Sequence, residues 1–385
     1  MATTVVPQPQ AVQRSVIIKP AGSFCNLRCD YCFYLEKQQL YSGMAATHRM
    51  NEQTLEKIIA DMFACCDTPT FIWHGGEPTL MGLEFFQQAM SLQRHYAQGR
   101  AYSNALQTNG TLLNKEWTDF FKKENFLVGV SLDGPKHVHN QYRKDLQGKG
   151  TFSTVFENTK MLMQAQVPVN VLATVNSYSV QHTEQIYRFF KRHKFIFMQF
   201  MPVVETDPQN PERAASYSVT AQAYGAFLHR LFNLWIKDFD FKHLKQKTSI
   251  RFFDDLVKKY AGMLPDHCIF QRVCAGAPVI EHNGDIFPCD YMVSEDTHIG
   301  NIHTMSVDEA LASRINTAFG ERKAQLNNRC NKCKWLELCY GGCIKDRIRD
   351  PQDQGHNRFC SSYRFFFQKA DKRLKKLAEL YQKYY

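Results

Sequence analysis

Apolar and polar positions alternate over the first 205 residues in a pattern that predicts strands and helices in turn. Short apolar runs are each followed by a stretch with apolar residues at i, i+3 and i+4, the spacing of an amphipathic helix. We expect strands at 15–20, 70–75, 104–109, 126–134, 169–175 and 195–203, and helices at 51–64, 82–96, 114–124, 152–166 and 181–193. Asn51 and Asn114 stand where helix N-caps belong.

These units predict an α/β fold, a partial (β/α)6 TIM-like barrel whose near-continuous apolar strands suit a parallel sheet buried on both faces. Such barrels carry function at the carboxyl ends of their strands. A three-cysteine loop follows the first strand, and "HGGEP", "QTNG" and "SLDGP" follow the next three. Turn formation by glycine and proline explains each of these segments alone but not their shared position.

The pattern changes after the barrel. Residues 206–263 predict a linker region with helices near 219–238 and 251–262, and from residue 264 the strands become short and the cysteines dense. We therefore divide the chain into a disordered N-terminal segment (1–14), the barrel (15–205), the helical linker region (206–263) and a cysteine-rich C-terminal domain (264–385).

Charge and apolar content exclude several classes of protein. The net charge of +10 is spread along the 385 residues, apart from a basic final helix that we interpret as a solvated face, so we expect no nucleic-acid partner. The chain has no secretory signal pattern and no apolar run near about 18 residues, so we expect no membrane partner. A cytoplasmic protein is expected, and its cysteines should serve as metal ligands or catalysts.

Eleven of the thirteen cysteines fall into two groups, while the adjacent Cys65 and Cys66 are interpreted as core residues of a helix. The first group, C-x3-C-x2-C, comprises Cys25, Cys29 and Cys32. Structural zinc takes four ligands. Three thiolates can instead hold three irons of a [4Fe–4S] cubane and leave the fourth iron open to a substrate, unlike the four-cysteine pattern of a ferredoxin.

The second group can serve two four-coordinate sites, because it contains eight cysteines: Cys268, Cys274, Cys289, Cys330, Cys333, Cys339, Cys343 and Cys360. A pair of zinc sites is the alternative, since C-x2-C on its own favours a zinc knuckle. The three-cysteine loop upstream favours iron–sulfur clusters.

The C-x3-C-x-aromatic-C loop after the first strand, taken with "GGEP" at 75–78, resembles the radical S-adenosylmethionine (SAM) superfamily. The C-terminal spacing resembles the SPASM extension of radical SAM peptide maturases, which carries two auxiliary [4Fe–4S] clusters. This resemblance implies that one auxiliary cluster is held by Cys268, Cys274, Cys289 and Cys343. It implies that the other is held by Cys330, Cys333, Cys339 and Cys360, which gives three [4Fe–4S] clusters in all.

Within that superfamily, residues 15–370 resemble the anaerobic sulfatase-maturating enzymes through "CNLRCDYCFYLEK", "HGGEPTLMGLEFF", "VSLDGPKHVHNQYRKD", "GDIFPCDYMV" and "CKWLELCYGGC". The resemblance implies Asp290 as catalytic base and a SAM site lined by Tyr31, Gly76, Ser131, Arg143 and Val204. His74 stands where relatives can have glutamine, and we assign it no role.

The activity that this resemblance implies is oxidation of a cysteine or serine to Cα-formylglycine (3-oxoalanine), with 5′-deoxyadenosine and methionine as coproducts. The implied substrate is a Cys/Ser-x-Pro-x-Arg segment of an unfolded sulfatase, and the electron donor is reduced flavodoxin or a ferredoxin-type protein. A second enzymatic interpretation is thioether or crosslink formation in a small ribosomal peptide, which the short stretch before the first strand disfavours. A non-enzymatic iron–sulfur carrier or zinc module gains nothing from an open iron.

Overall fold

The computed structural model describes residues 13–41, 48–207, 209–240, 245–274, 276–348 and 356–384. The N-terminal segment that we predicted to be disordered lies outside these ranges, apart from residues 13 and 14, which begin the first strand.

Six parallel strands form the centre of the main sheet: β1 (Gln13–Lys19), β2 (Thr68–Trp73), β3 (Ser103–Thr108), β4 (Leu127–Ser131), β5 (Val169–Val175) and β6 (Phe197–Pro202). Each strand pairs with the next one in the chain. The connecting helices are α1 (Glu52–Cys65), α2 (Leu83–Ala97), α3 (Lys115–Lys123), α4 (Lys136–Tyr142), α5 (Phe152–Gln164) and α6 (Thr183–Arg192). The predicted α/β partial barrel is confirmed, and α4 is a short helix that the apolar pattern did not predict.

Two asparagines begin their helices as predicted. The side-chain oxygen of Asn51 accepts a hydrogen bond from the Thr54 amide at 2.8 Å, and that of Asn114 accepts one from the Trp117 amide at 3.0 Å. Each bond satisfies a backbone donor that the first turn of a helix leaves unpaired.

The rest of the chain adds short strands and a long final helix. The strands are β7 (Thr206–Asp207), β8 (Asn210–Ala214), β9 (Phe239–Asp240), β10 (Lys245–Gln246), β11 (Ser249–Ile250), β12 (Val279–Glu281), β13 (Asp285–Phe287) and β14 (Gly300–Asn301). The α-helices are α7 (Ala221–Lys237), α8 (Arg251–Tyr260), α9 (Val307–Ala312), α10 (Arg314–Ala324), α11 (Asn328–Asn331), α12 (Leu336–Cys339), α13 (Lys345–Ile348) and α14 (Cys360–Tyr384). Short 3-10 helices span Leu35–Tyr41, Pro78–Met81, Ser179–His182, Cys268–Phe270, Asp290–Met292 and Glu295–Thr297.

The main sheet extends across residue 264. Its ten strands lie in the order β11-β6-β5-β4-β3-β2-β1-β12-β13-β14. Strand β12 pairs in parallel with β1, so that Glu281 lies opposite Lys19. An unpaired β1 would expose its backbone donors and acceptors, and β12 covers that edge. The sheet is therefore continuous across the boundary predicted at residue 264, and the division of the chain into domains remains a prediction.

The hydrophobic core is continuous from the barrel to α14. Phe366 of α14 lies 5.6 Å from Phe232 of α7 between ring centroids, and Tyr224 lies 4.7 Å from Phe359. Cys66 is buried in this core and Cys65 packs against it. Among the described residues, no helix is both long enough and apolar enough to cross a membrane.

Candidate active site and cluster cysteines

The three-cysteine loop follows β1 and is fixed by its neighbours. The Cys25 sulfur accepts hydrogen bonds from the Leu27 amide at 3.4 Å and from the Asn109 side chain at 3.7 Å. Burial raises the pKa of Cys25 to about 12 and that of Cys29 to about 11, and Cys32 lies close enough to both to add to the shift. Thiols with such pKa values stay protonated at neutral pH until a metal displaces the proton.

Gly76 packs directly against this loop. Its amide donates to the Gly22 carbonyl at 2.8 Å, and the next amide, that of Glu77, donates to the Phe24 carbonyl at 2.9 Å. A Cβ atom on Gly76 would overlap the Phe24 carbonyl. Only glycine fits here, and the "GGEP" turn therefore holds the cysteine loop against the end of β2.

The Glu77 carboxylate ties "HGGEP" to "QTNG", a role that sequence reasoning missed. Glu77 is fully buried and accepts hydrogen bonds from Thr79, from the Thr108 hydroxyl at 2.8 Å and from the Asn109 amide at 2.7 Å. Burial raises the pKa of Glu77, and these hydrogen bonds oppose the rise. The signal in the sequence was a carboxylate directly after two glycines at a strand end.

Tyr31 and Arg143 meet at a buried aspartate, Asp133. The Arg143 guanidinium donates from Nε at 2.8 Å and from Nη2 at 3.2 Å, and the Tyr31 hydroxyl donates to the same carboxylate at 2.7 Å. Burial acts to raise the pKa of Asp133, but the Arg143 charge lowers it below its ordinary value. Asp133, which lies within "SLDGP", was not identified from the sequence, although it positions two residues that were.

The other two predicted SAM-site residues are placed differently. Ser131 ends β4, two residues before Asp133, and its hydroxyl accepts a hydrogen bond from Gln107 at 3.1 Å. Val204 follows β6, and its side chain is fully buried in the hydrophobic core. Ser131 thus lies at the same edge of the sheet as Tyr31 and Arg143. Val204 contributes no polar group to that edge.

A buried lysine, Lys19, links Asp290 to the glycine motif. Lys19 ends β1 with its side chain fully buried, and its ammonium donates to Asp290 Oδ1 and lies 3.1 Å from His74 Nδ1. A Cβ atom on Gly75 would lie 3.3 Å from the Lys19 Cδ atom, so the lysine side chain passes beside the "GGEP" turn. Asp290, the predicted base, is therefore brought to the end of β1 although it lies 271 positions after Lys19.

Charge keeps this carboxylate ionised. Burial acts to raise the pKa of Asp290, but the Lys19 ammonium lowers it below its ordinary value. Burial lowers the pKa of His74 to about 4, and its Nδ1 atom accepts from the Gly75 amide at 2.7 Å. His74 is therefore neutral, with its proton on Nε2. The sequence signal for Lys19 was a lysine ending an otherwise apolar strand.

The eight C-terminal cysteines lie near one another in the two groupings that the resemblance implies, and their role as cluster ligands remains a prediction. Burial raises the pKa of Cys289 to about 12, and the charges of Cys268 and Cys274 act in the same direction. Burial also raises the pKa of Cys343, with contributions from Cys289 and Cys268. These four thiols form the set nearer to Asp290, which we call the inner set.

The outer set consists of Cys330, Cys333, Cys339 and Cys360. All four line a cavity of about 320 Å³, together with Trp335 and Tyr363 among other residues. Burial raises the pKa of Cys339 to about 11, and the other three thiols add to the shift. Four thiols around a cavity fit the donor set of a [4Fe–4S] cluster.

Comparison with known proteins agrees with this geometry. Residues 20–190 match the Radical SAM superfamily, and residues 272–334 match SPASM, an iron–sulfur cluster-binding domain. These two domains indicate [4Fe–4S] clusters, as predicted. The cysteine-type anaerobic sulfatase-maturating enzyme of Clostridium novyi is 37% identical over 95% of this chain and 97% of its own length. The serine-type enzyme of Bacteroides thetaiotaomicron is 36% identical over 95% of this chain and 91% of its own length.

Solved structures give the same result. The chain is similar to native anSMEcpe with bound AdoMet and the Cp18Cys peptide, with a TM-score of 0.87, 34% identity and coverage of 96% of this chain and 99% of that one. Streptococcus suis SuiB bound to S-adenosylmethionine, at 14% identity and a TM-score of 0.59, shares the fold alone. On these relatives, the chain belongs to the anaerobic sulfatase-maturating enzymes of the radical SAM superfamily.

Proposed function

We propose that this protein oxidises a cysteine or serine in an unfolded sulfatase segment to Cα-formylglycine under anaerobic conditions. Relatives named cysteine-type and serine-type sulfatase-maturating enzymes support the reaction class. The observation that carries the proposal for this chain is the Asp290 carboxylate, which Lys19 holds beside the glycine motif. A base at that place can reach a substrate side chain near the radical source.

The thiols and the strand-end residues fit the required cofactors. Cys25, Cys29 and Cys32 would hold the cluster that binds SAM, and the inner and outer sets would each hold an auxiliary cluster. When bound, the reduced cluster and SAM supply a 5′-deoxyadenosyl radical that removes a hydrogen atom from the substrate Cβ. Because Arg143 uses Nε and Nη2 on Asp133, its Nη1 donors remain for the SAM carboxylate.

The residues of this chain would then complete the oxidation. Asp290 would accept the proton of the substrate thiol or hydroxyl. The inner set, which includes Cys289, would hold an auxiliary cluster that can take up the second electron. A cysteine substrate becomes a thioaldehyde that water hydrolyses to the aldehyde, whereas a serine substrate gives the aldehyde directly. The loss of one hydrogen atom, one proton and one electron balances the two-electron oxidation.

The partner and the location are part of the same proposal. Reduced flavodoxin or a ferredoxin-type protein would supply electrons to the first cluster. A cytoplasmic location is supported by thirteen cysteines that are free of disulfides, as expected of a reducing compartment.

The test is anaerobic incubation of the iron-replete enzyme with SAM, a reductant and short peptides containing Cys-x-Pro-x-Arg or Ser-x-Pro-x-Arg. We expect the mass change of formylglycine formation in one or both peptides, and the relative rates assign the substrate type. A peptide with alanine at the target position serves as the control and should remain unchanged. Cleavage of SAM without any change in either target peptide would refute the proposed reaction.

A further inference from the structure

The Arg347 guanidinium contacts the backbone beside the outer set, because it donates to the carbonyl of Tyr340, the residue after Cys339. Cys330 and Cys339 of the outer set and Cys274 and Cys343 of the inner set are all within electrostatic range of its guanidinium. Arginine is always charged in proteins, so this position carries a fixed positive charge. Both clusters would therefore share one cation.

Backbone carbonyls hold the guanidinium in place. It donates to Gly341 at 3.2 Å from Nε, to Lys323 and Tyr340 at 3.0 Å from Nη2, and to Gln325 at 3.3 Å from Nη1. A Cβ atom on Gly341 would overlap Nη2, and this glycine has a φ of +73°. The backbone thus closes around the arginine and fixes the position of its charge.

A second buried cation lies beside the inner set. The Lys323 side chain is fully buried, and its ammonium donates to the carbonyls of Cys268 at 2.6 Å and Ile269 at 3.0 Å, and to that of Gln271. Its charge is within range of Cys268, Cys274 and Cys343. Lys323 thus holds the backbone turn that carries one inner-set cysteine.

Neither cation has a carboxylate partner among the described residues, in contrast to Lys19 and Arg143. A buried charge without a counter-charge is costly. The groups that act on both cations and can become negative are thiols of the two sets, which become thiolates when iron binds. The two cations are therefore matched to cluster-bearing sites and not to an acidic side chain.

We propose that Arg347 and Lys323 raise the reduction potentials of the auxiliary clusters and so make them acceptors for the substrate's second electron. A fixed positive charge stabilises the reduced cluster, which carries one more negative charge than the oxidised one. Arg347 acts on both sets and Lys323 chiefly on the inner one. Their acceptor role rests on the proposed function, whereas their effect on the potentials does not.

The test is a redox titration of the iron-replete holoenzyme without peptide, followed by electron paramagnetic resonance. In Arg347→Gln we expect the equilibrium constant for reducing an auxiliary cluster to fall at least tenfold. For a one-electron couple, this is a shift of the reduction potential by about 59 mV to more negative values. Arg347→Lys keeps the charge and should retain most of the wild-type potential. A purely structural role as carbonyl donor would give wild-type potentials in both variants whenever iron is bound.

Arg322→Gln is the matched control, because it removes an exposed cation from the same helix as Lys323 and solvent screens that charge. It should leave the potentials unchanged. If Arg347→Gln fails to retain iron, the same titration of Lys323→Gln decides the matter, with a negative shift expected for the inner cluster. Unchanged potentials in an iron-replete Arg347→Gln or Lys323→Gln enzyme would overturn the proposal. When the target peptide is added, we expect the Arg347→Gln and Lys323→Gln enzymes to form more 5′-deoxyadenosine per formylglycine than the wild-type enzyme.

Discussion

The replacement Asp290→Asn separates radical formation from substrate oxidation. It preserves the shape of the side chain but removes the carboxylate that accepts the substrate proton. A positioned general base typically contributes 10²–10⁴-fold to a rate, so formylglycine formation should fall by about that factor. SAM cleavage depends on the first cluster and should persist, so 5′-deoxyadenosine per formylglycine rises by a similar factor.

The same replacement affects folding, because Lys19 loses its partner. Its ammonium is fully buried while the Asp290 side chain is 17% exposed. Removing one partner of a buried ion pair typically costs about 3–5 kcal/mol, since the other charge remains uncompensated. A loss of activity in Asp290→Asn could therefore reflect loss of structure as well as loss of the base.

The double replacement of Lys19→Met with Asp290→Asn resolves this ambiguity. It removes both charges, so thermal stability and iron content should recover toward wild type while formylglycine formation stays low. The assay is anaerobic, with both products quantified by mass spectrometry alongside iron content. Wild-type formylglycine yield in either iron-replete variant would refute the assignment of Asp290 as the base.

Three further predictions concern the barrel. Gly76→Ala should displace the cysteine loop, because the added methyl overlaps the Phe24 carbonyl; we expect loss of SAM cleavage and of about four of about twelve irons, measured by iron analysis. Asp133→Asn should destabilise the enzyme by about 3–5 kcal/mol by leaving buried Arg143 unpaired, as denaturant unfolding of the iron-replete protein would show. Folding lowers the pKa of Asp133, so the stability difference between wild type and Asp133→Asn should be constant from about pH 8 to about pH 5.5. The difference is lost only as the pH falls below the ordinary aspartate pKa and through the lowered one. A slope between about pH 8 and about pH 5.5 would contradict the role of Arg143 in lowering this pKa. His74→Gln should retain formylglycine formation within a fewfold, since a glutamine can also accept the Lys19 and Gly75 hydrogen bonds; a loss of 10²-fold in a peptide assay would instead give the ring itself a role.

The barrel could be predicted because its strands are apolar throughout and its helices carry regular apolar spacing. The ends of the six strands lie within three residues of their expected positions, and both predicted N-caps form. Spacing along the chain separated the three-cysteine loop from the eight later cysteines, whereas the membership of the two auxiliary sets was implied by the resemblance. Helix α4 is short, and its two buried side chains, Val138 and His139, are too few to give a period.

The residues that position the site could not be predicted in the same way. Lys19 and Asp290 are 271 positions apart, and their contact depends on the pairing of β12 with β1. That pairing joins the cysteine-rich region to the barrel sheet, and three-residue strands give no periodic signal. No sequence motif indicates the roles of Asp133 and Glu77, because both accept hydrogen bonds from residues that are brought together only by folding.

The proposed reaction requires that the substrate Cβ hydrogen be removed at the end of the barrel sheet, beside Asp290. The decisive measurement uses a target peptide whose cysteine or serine Cβ carries deuterium, incubated anaerobically with the iron-replete enzyme, SAM and reductant. We expect the 5′-deoxyadenosine formed to carry deuterium from the peptide and formylglycine to appear with it. Formylglycine formed alongside 5′-deoxyadenosine that contains no deuterium would contradict hydrogen removal by the SAM-derived radical at this site.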